Sequence, residues 1–166
     1  MRCVLAGVAS AFALWPLSGA GASAAEPALS YRIEPAGEQP SSLAFSLRND
    51  SSMPVRVLPW NTPLERIDVG NSLAVACNGQ PVRYIGRMVK RAAPKPSDFV
   101  ALAPHASLSA DFQLAQGYAL PGQGACEIAY RGSIQVSVAG VPGSVTLTPV
   151  PQASSMTVFR LPSTSR

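Results

Sequence analysis

Over residues 107–114 every second side chain is apolar: Leu108, Ala110, Phe112 and Leu114 alternate with Ser107, Ser109, Asp111 and Gln113. A period of two is what a strand needs when one face lies in a core and the other in water. It is incompatible with an amphipathic helix, whose apolar stripe recurs every three to four residues. The same alternation sets Leu43, Phe45 and Leu47 against Ala44, Ser46 and Arg48, and Ile134, Val136 and Val138 against Gln135 and Ser137. No window of the sequence sustains a helical repeat. Sixteen prolines and thirteen glycines punctuate the chain, a density that suits short strands joined by tight turns and excludes long helices.

Turn signals fall at Asn49-Asp50-Ser51-Ser52, Asn78-Gly79, Pro121-Gly122-Gln123-Gly124 and Pro142-Gly143. Between them, further strands are expected near residues 31–34, 55–58, 67–69, 73–77, 82–85, 99–102, 126–130, 145–148 and 156–161. About nine or ten short strands with alternating faces predict an all-β, immunoglobulin-like antiparallel β-sandwich of two sheets with little helix. Alternation alone does not separate that from a closed barrel. Asn78-Gly79 is a strong two-residue hairpin signal, expected to join 73–77 to 81–85. Residues 91–97 carry Pro94 and Pro96 and are expected to form an extended, exposed loop outside any sheet interior.

The N-terminus begins Met1-Arg2, runs through apolar residues 3–17 and continues in small residues to Ala22-Ser23-Ala24. This reads as a cleavable secretory signal over 1–24. A membrane anchor would need roughly 20 uninterrupted apolar residues, and Pro16 breaks the run too early. The expected organisation is then a sandwich domain over 25–162 and a disordered tail over 163–166, in a periplasmic or secreted protein with no stable membrane insertion after cleavage.

Export bears on the cysteines. Cys3 lies in the signal, leaving Cys77 and Cys126, and an even count in an exported chain reads as a disulfide. Leu73, Val75 and Cys77 share one strand face, as do Cys126, Ile128 and Tyr130, so both sulfurs are expected in the core. The bridge is expected to link the two sheets, the alternative being two buried free thiols. The net charge of +4 at pH 7 includes only two lysines, Lys90 and Lys95. Basic residues cluster once, as Arg83, Arg87, Lys90, Arg91 and Lys95, without the stacking aromatics or recognition helix of nucleic-acid binding. A solvated edge strand accounts for them.

Chemistry-bearing constellations are sparse. The one histidine, His105, sits in Ala103-Pro104-His105-Ala106, a turn where an exposed surface role is commoner than general base catalysis. The acids are scattered singly, and there is no glycosidase pair, nucleophile elbow or phosphate-binding loop. No metal ligand set and no cofactor site can be written, so the chain is expected not to be an enzyme. The loop around Trp60 reads either as a core-capping crossing or as a contact surface, since exposed Trp and Arg recur at interface hot spots.

Three segments carry a family resemblance: Leu58-Pro59-Trp60-Asn61-Thr62-Pro63-Leu64-Glu65, Tyr84-Ile85-Gly86-Arg87-Met88-Val89-Lys90-Arg91, and Asp98-Phe99-Val100-Ala101-Leu102. Over residues 43–131 the chain resembles the non-catalytic, prodomain-like part of secreted zinc endopeptidases of the deuterolysin and peptidyl-Lys metalloendopeptidase (aspzincin) type. Their catalytic helix needs His-Glu-x-x-His, which a chain with one histidine cannot supply. Where the family pattern has an aromatic, this sequence has Cys126, as if a disulfide replaced an aromatic plug. The resemblance implies a binding module that inhibits or helps fold a secreted metallopeptidase; its expected contact residues are Trp60, Asn61, Arg66, Arg87, Lys90 and Arg91, because prolines keep their two segments out of the sheets and gather an aromatic and basic side chains there. The alternatives are a structural envelope or adhesion sandwich without a protease partner and, last, an unrecognised hydrolase using His105.

Overall fold

The computed structural model describes residues 28–66, 72–138, 145–149 and 157–162. The expected signal, the strand near 67–69 and the C-terminal tail lie outside the described residues. Eleven strands and three single 3-10 turns are described, and every strand pairing is antiparallel. The fold is an all-β sandwich.

Strands β1 (Leu29–Pro35) and β2 (Ser42–Asn49) pair through a turn at Gly37, and β2 pairs in turn with β7 (Ser107–Gln113). Register carries the sequence alternation directly into layers. Tyr31, Leu47 and Leu108 form one inward rung, and Ile33, Phe45 and Ala110 the next; Arg32, Ser46 and Ser109 form an outward rung between them. A second sheet runs β10 (Val145–Pro149), β9 (Ser133–Val138), β3 (Val55–Val57), β6 (Val100–Leu102). The third runs β11 (Thr157–Leu161), β8 (Gly124–Tyr130), β4 (Leu73–Cys77), β5 (Gln80–Pro81).

Three sheets in place of the expected two follow from corners that alternation does not reveal. The β2–β7 ladder stops at Arg48 opposite Ser107 and resumes as β3–β6 at Val55 opposite Leu102. One two-stranded ribbon therefore bends and passes from the first sheet into the second, a corner of the kind seen where strands switch sheets. Asn49 holds that bend from a fully buried position. Its side-chain amide reaches the carbonyls of Met53 (2.8 Å), Ala103 (3.2 Å) and Leu102 (3.3 Å), while its oxygen accepts from the Ser51 N–H (3.1 Å) and hydroxyl (2.7 Å). A second corner follows β8, where Arg131-Gly132 leads into β9. A Cβ on Gly132 would collide with the Tyr130 phenol.

The core gathers where the sheets face each other. Tyr31, Phe45 and Tyr130 form an aromatic triangle with ring centroids 5.4–5.9 Å apart, joining the first sheet to the third. Thr157 on β11 donates its hydroxyl to the Ile33 carbonyl on β1, reinforcing that seam.

Cys77 and Cys126 are disulfide-bonded, but within one sheet and not between two. They are direct cross-strand partners on β4 and β8 with Cα atoms 4.0 Å apart. The adjacent rung supplies the reason: Asn78 N–H donates to the Ala125 carbonyl (2.8 Å), so Cys77 and Cys126 occupy the non-hydrogen-bonded site, where antiparallel strands approach most closely. Asn78-Gly79 is the expected hairpin, both residues having positive φ (52° and 75°). Its second arm is shorter than expected. Only Gln80–Pro81 pairs as strand; residues 82–85 leave the ladder after Val82 N–H donates to Val75, and Tyr84 makes an isolated bridge to Tyr118.

Candidate functional site

Two chain segments with no place in the sheets lie against each other at one side of the sandwich. The first leaves β3 at Leu58, whose N–H still bonds Gln135, and turns at Trp60. Thr62 organises this turn. Fully buried, it donates its hydroxyl to the Pro59 carbonyl (2.6 Å) and accepts the Leu64 N–H (3.2 Å), capping the 3-10 turn Pro63–Glu65. Asn61 and Arg66 flank that turn in left-handed conformations (φ 58° and 64°) with exposed side chains. The second segment is the long connection from β5 to β6.

Glu65 and Arg91 join the two. One Glu65 oxygen accepts the Asn61 N–H at 3.2 Å, and the other receives the Arg91 guanidinium at 2.7 Å. The same guanidinium lies 4.8 Å from the centre of the Trp60 ring. Both charged side chains are largely shielded, at 28% and 17% exposure. A half-buried Trp60 is therefore covered on one side by Arg91. At the protein surface an ion pair contributes about 0.2–1 kcal/mol and a cation–π contact about 0.5–1 kcal/mol, so the clasp is modest, enough to position a loop without stabilising the whole domain.

Between the clasp and the hairpin runs a strap. At its start, the Ile85 and Gly86 N–H groups both reach the Gly117 carbonyl (2.8 and 3.1 Å), and the Tyr84 phenol donates to the Arg87 carbonyl (2.8 Å). The Tyr84 ring lies over Gly86, where any Cβ would strike it. At its far end, Arg56 donates to the carbonyls of Pro96 (2.7 Å) and Phe99 (3.4 Å), and Asp98 accepts the Lys95 N–H (2.7 Å). Residues 87–95 have no regular structure; of the loop expected over 91–97, residues 91–95 lie outside the sheets and Pro96–Asp98 form a 3-10 turn instead of extended chain. Residues 87–95 also expose apolar surface, Met88 at 79% and Val89 at 48%, next to Ile85 at 51%.

Of the expected contact residues, the structure brings Trp60, Asn61 and Arg91 into one cluster. Arg66 sits at its edge, and Arg87 and Lys90 project from the strap without an ion pair among the described residues. Sequence reading missed Thr62 and Glu65. The acid stood alone along the chain, and only its spacing of four from Asn61 hinted at a local bond. His105 is exposed in the β6–β7 turn at φ 58°. The described residues contain no group of three or more His, Cys, Asp or Glu able to hold a metal.

A different concavity, an open depression of about 510 Å³, lies on the outer face of the β1-β2-β7 sheet, floored by Ser46, Ser107 and Ser109 between Arg32 and Arg48. Each arginine there is already paired, with Glu34 (3.0 Å) and Asp50 (3.1 Å), leaving no concentrated charge. The clasp and strap are the more pronounced surface feature.

These observations define a β-sandwich presenting a preorganised loop pair. No family model matches the chain. It is similar to a protein described as an extracellular protease from Aeromonas hydrophila, 34% identical over 86 residues; the match takes in 52% of this chain and 24% of that protein. The chain thus spans about a quarter of that relative's length and includes a protease-related region. An extracellular relative and a core disulfide both fit an exported protein.

Proposed function

We propose that this chain is an exported, non-catalytic binding module that engages a secreted peptidase through the Trp60 loop and the 87–95 strap, as an inhibitor or folding helper of the deuterolysin-propeptide type. The observation that carries this reading is the clasp: Trp60, Glu65 and Arg91 come from segments 26 residues apart and hold them as one surface. Similarity to a stretch of an extracellular protease supports the choice of partner. Exposed apolar side chains beside unpaired basic ones suit a partner site with an acidic rim, which would steer association in a salt-dependent way.

The test is a pull-down with the mature protein from its own culture supernatant, followed by peptidase assays of what is retained. Retention of a peptidase whose activity or refolding yield changes on titration with the module supports the proposal. Recovery of no peptidase removes it and favours a purely structural sandwich. Any robust hydrolytic activity of the module itself that disappears in a folded His105→Ala variant would instead establish the hydrolase reading.

A further inference from the structure

We propose that the outer edge of β7 (Ser107–Gln113) pairs with the same strand of a second copy of this chain, antiparallel and centred on Ala110, joining their two β1-β2-β7 sheets into one continuous sheet. The interface is then two-fold and closed, the same strand serving both copies. It is independent of any peptidase.

Hydrogen bonding identifies the edge. The Asn49 and Leu114 N–H groups bond the Ala106 and Ser41 carbonyls, and bonded rungs alternate along an antiparallel ladder, so residues 106, 108, 110, 112 and 114 turn their main-chain groups to β2. Those of Ser107, Ser109, Asp111 and Gln113 turn the other way, and among the described residues none has a backbone partner. The Pro63–Glu65 turn lies beside β7, but its own backbone bonds stay within residues 59–66. Sheet edges are normally blunted by proline, lysine, a bulge or shortness. The edge strand β5 ends in Pro81 after two residues, and the edge strand β6 has three. β7 has seven residues, neither proline nor lysine, and an unbroken register with β2.

What selects a second copy is that β7 is complementary to itself. Its polar and apolar residues alternate symmetrically about Ala110, so a pair centred there sets Leu108 opposite Phe112, Ser109 opposite Asp111 and Ser107 opposite Gln113. Outward-turned groups meet outward-turned groups, and each free N–H finds a carbonyl. The rungs also continue in kind across the junction. The apolar rung of Tyr31, Leu47 and Leu108 runs on into Phe112 and Leu43 of the second copy, covering a Leu108 that is only half-buried. On the outer face, the acidic rung of Glu34, Ala44 and Asp111 runs on into Ser109, Ser46 and Arg32 of the second copy. Centring the pair on Asp111 instead would set two aspartates opposite each other, which opposes pairing.

The test is sedimentation equilibrium of the mature protein over roughly 5–500 µM, because a single strand pair covers less than the roughly 800 Å² per partner of a stable interface and a weak dimer is expected. The average mass is expected to rise from monomer toward dimer across the series. Ser109→Pro removes an edge N–H that β2 does not use, a position where a strand tolerates proline, and is expected to leave a folded monomer. Ser109→Asp faces Asp111 of the second copy and is expected to raise the dissociation constant about tenfold, and adding Asp111→Lys to it is expected to restore dimerisation. Should the proline variant not fold, the charge pair decides alone, with thermal midpoints as the check on folding. A protein that stays monomeric at the highest concentration overturns the proposal, and would mean that the Pro63–Glu65 turn shields the edge. A dimer indifferent to both Ser109 substitutions is built on another surface and overturns it equally. If Asp111→Lys fails to rescue Ser109→Asp, the register centred on Ala110 is wrong and the proposal falls with it.

Discussion

The β2–β7 ribbon and the 82–99 connection are built from similar residues and come out opposite. In the ribbon, each apolar residue of the alternation points inward and the main chain is consumed by cross-strand bonds over seven rungs. In the connection, Val82 and Tyr84 still pack against the core, but Ile85, Met88 and Val89 point to water and the main chain is fixed only at its ends. Pro94, Pro96 and the Tyr84–Gly86 contact are what keep the second segment from pairing, since proline donates no N–H and a strand needs one at alternate positions. Where local rules are broken in a sequence that otherwise obeys them, a functional site is the common cause.

If the sandwich and the strap are energetically separate, core substitutions must be costly and strap substitutions nearly silent. The largest effect is expected for replacing both cysteines with alanine. The bridge closes a loop of 49 residues, for which chain entropy gives about 4 kcal/mol. Urea unfolding under non-reducing conditions should show that loss against wild type, and a loss below about 1 kcal/mol would mean that the β4–β8 ladder fixes this region unaided. Next is Asn49→Ala, which strands the buried Leu102 carbonyl and the part-buried carbonyls of Met53 and Ala103 at the corner. About 2–3 kcal/mol is expected from leaving buried polar groups unpaired. A negligible change in the same measurement would show that the corner is held by its ladders and not by the amide.

Legibility in the sequence followed the same division. Strands such as β2, β7 and β9 are readable because one face of each turns to the core and the other to water, wholly buried on β2 at Leu43, Phe45 and Leu47, so pattern and fold are the same information. The hairpin at Asn78-Gly79 was readable because both residues adopt positive φ, which these two residue types tolerate best. Corners were not. Asn49 looked like a turn residue, and nothing in its neighbourhood shows that its amide reaches across to residues 102 and 103. For the same reason the cysteines were assigned to facing sheets: alternation gives the face of a strand, never its neighbour. At the candidate site, the sequence picked out Trp60 and Arg91 as a prominent aromatic and a clustered base, yet their contact, through a lone Glu65, depends on how two loops fold back.

The clasp tests the boundary between the regions. Arg91→Met removes the ion pair and the stacked cation while keeping an apolar stem over Trp60. Stability is expected to fall by less than about 1 kcal/mol. Of the two tryptophans, Trp15 lies in the expected signal, so fluorescence of the processed protein reports Trp60 alone, and a red shift in its emission is the expected mark of the lost cover. An unchanged spectrum would mean that the guanidinium does not sit over the ring in solution.

Smallest of all is the expected effect of Met88→Ser combined with Val89→Ser. Both side chains are already in water for about half their surface or more, so truncation removes little buried apolar area, and surface changes of this kind stay within about 0.5 kcal/mol. The same pair of substitutions should weaken peptidase binding strongly if the strap is part of the contact surface, because its exposed apolar contacts disappear while charge and anchoring are kept. Silence in unfolding together with loss of binding is an outcome that neither a packed loop nor an idle surface produces. A destabilisation above about 1.5 kcal/mol would show that the strap is packed against the sandwich, and the two regions would then be one cooperative unit.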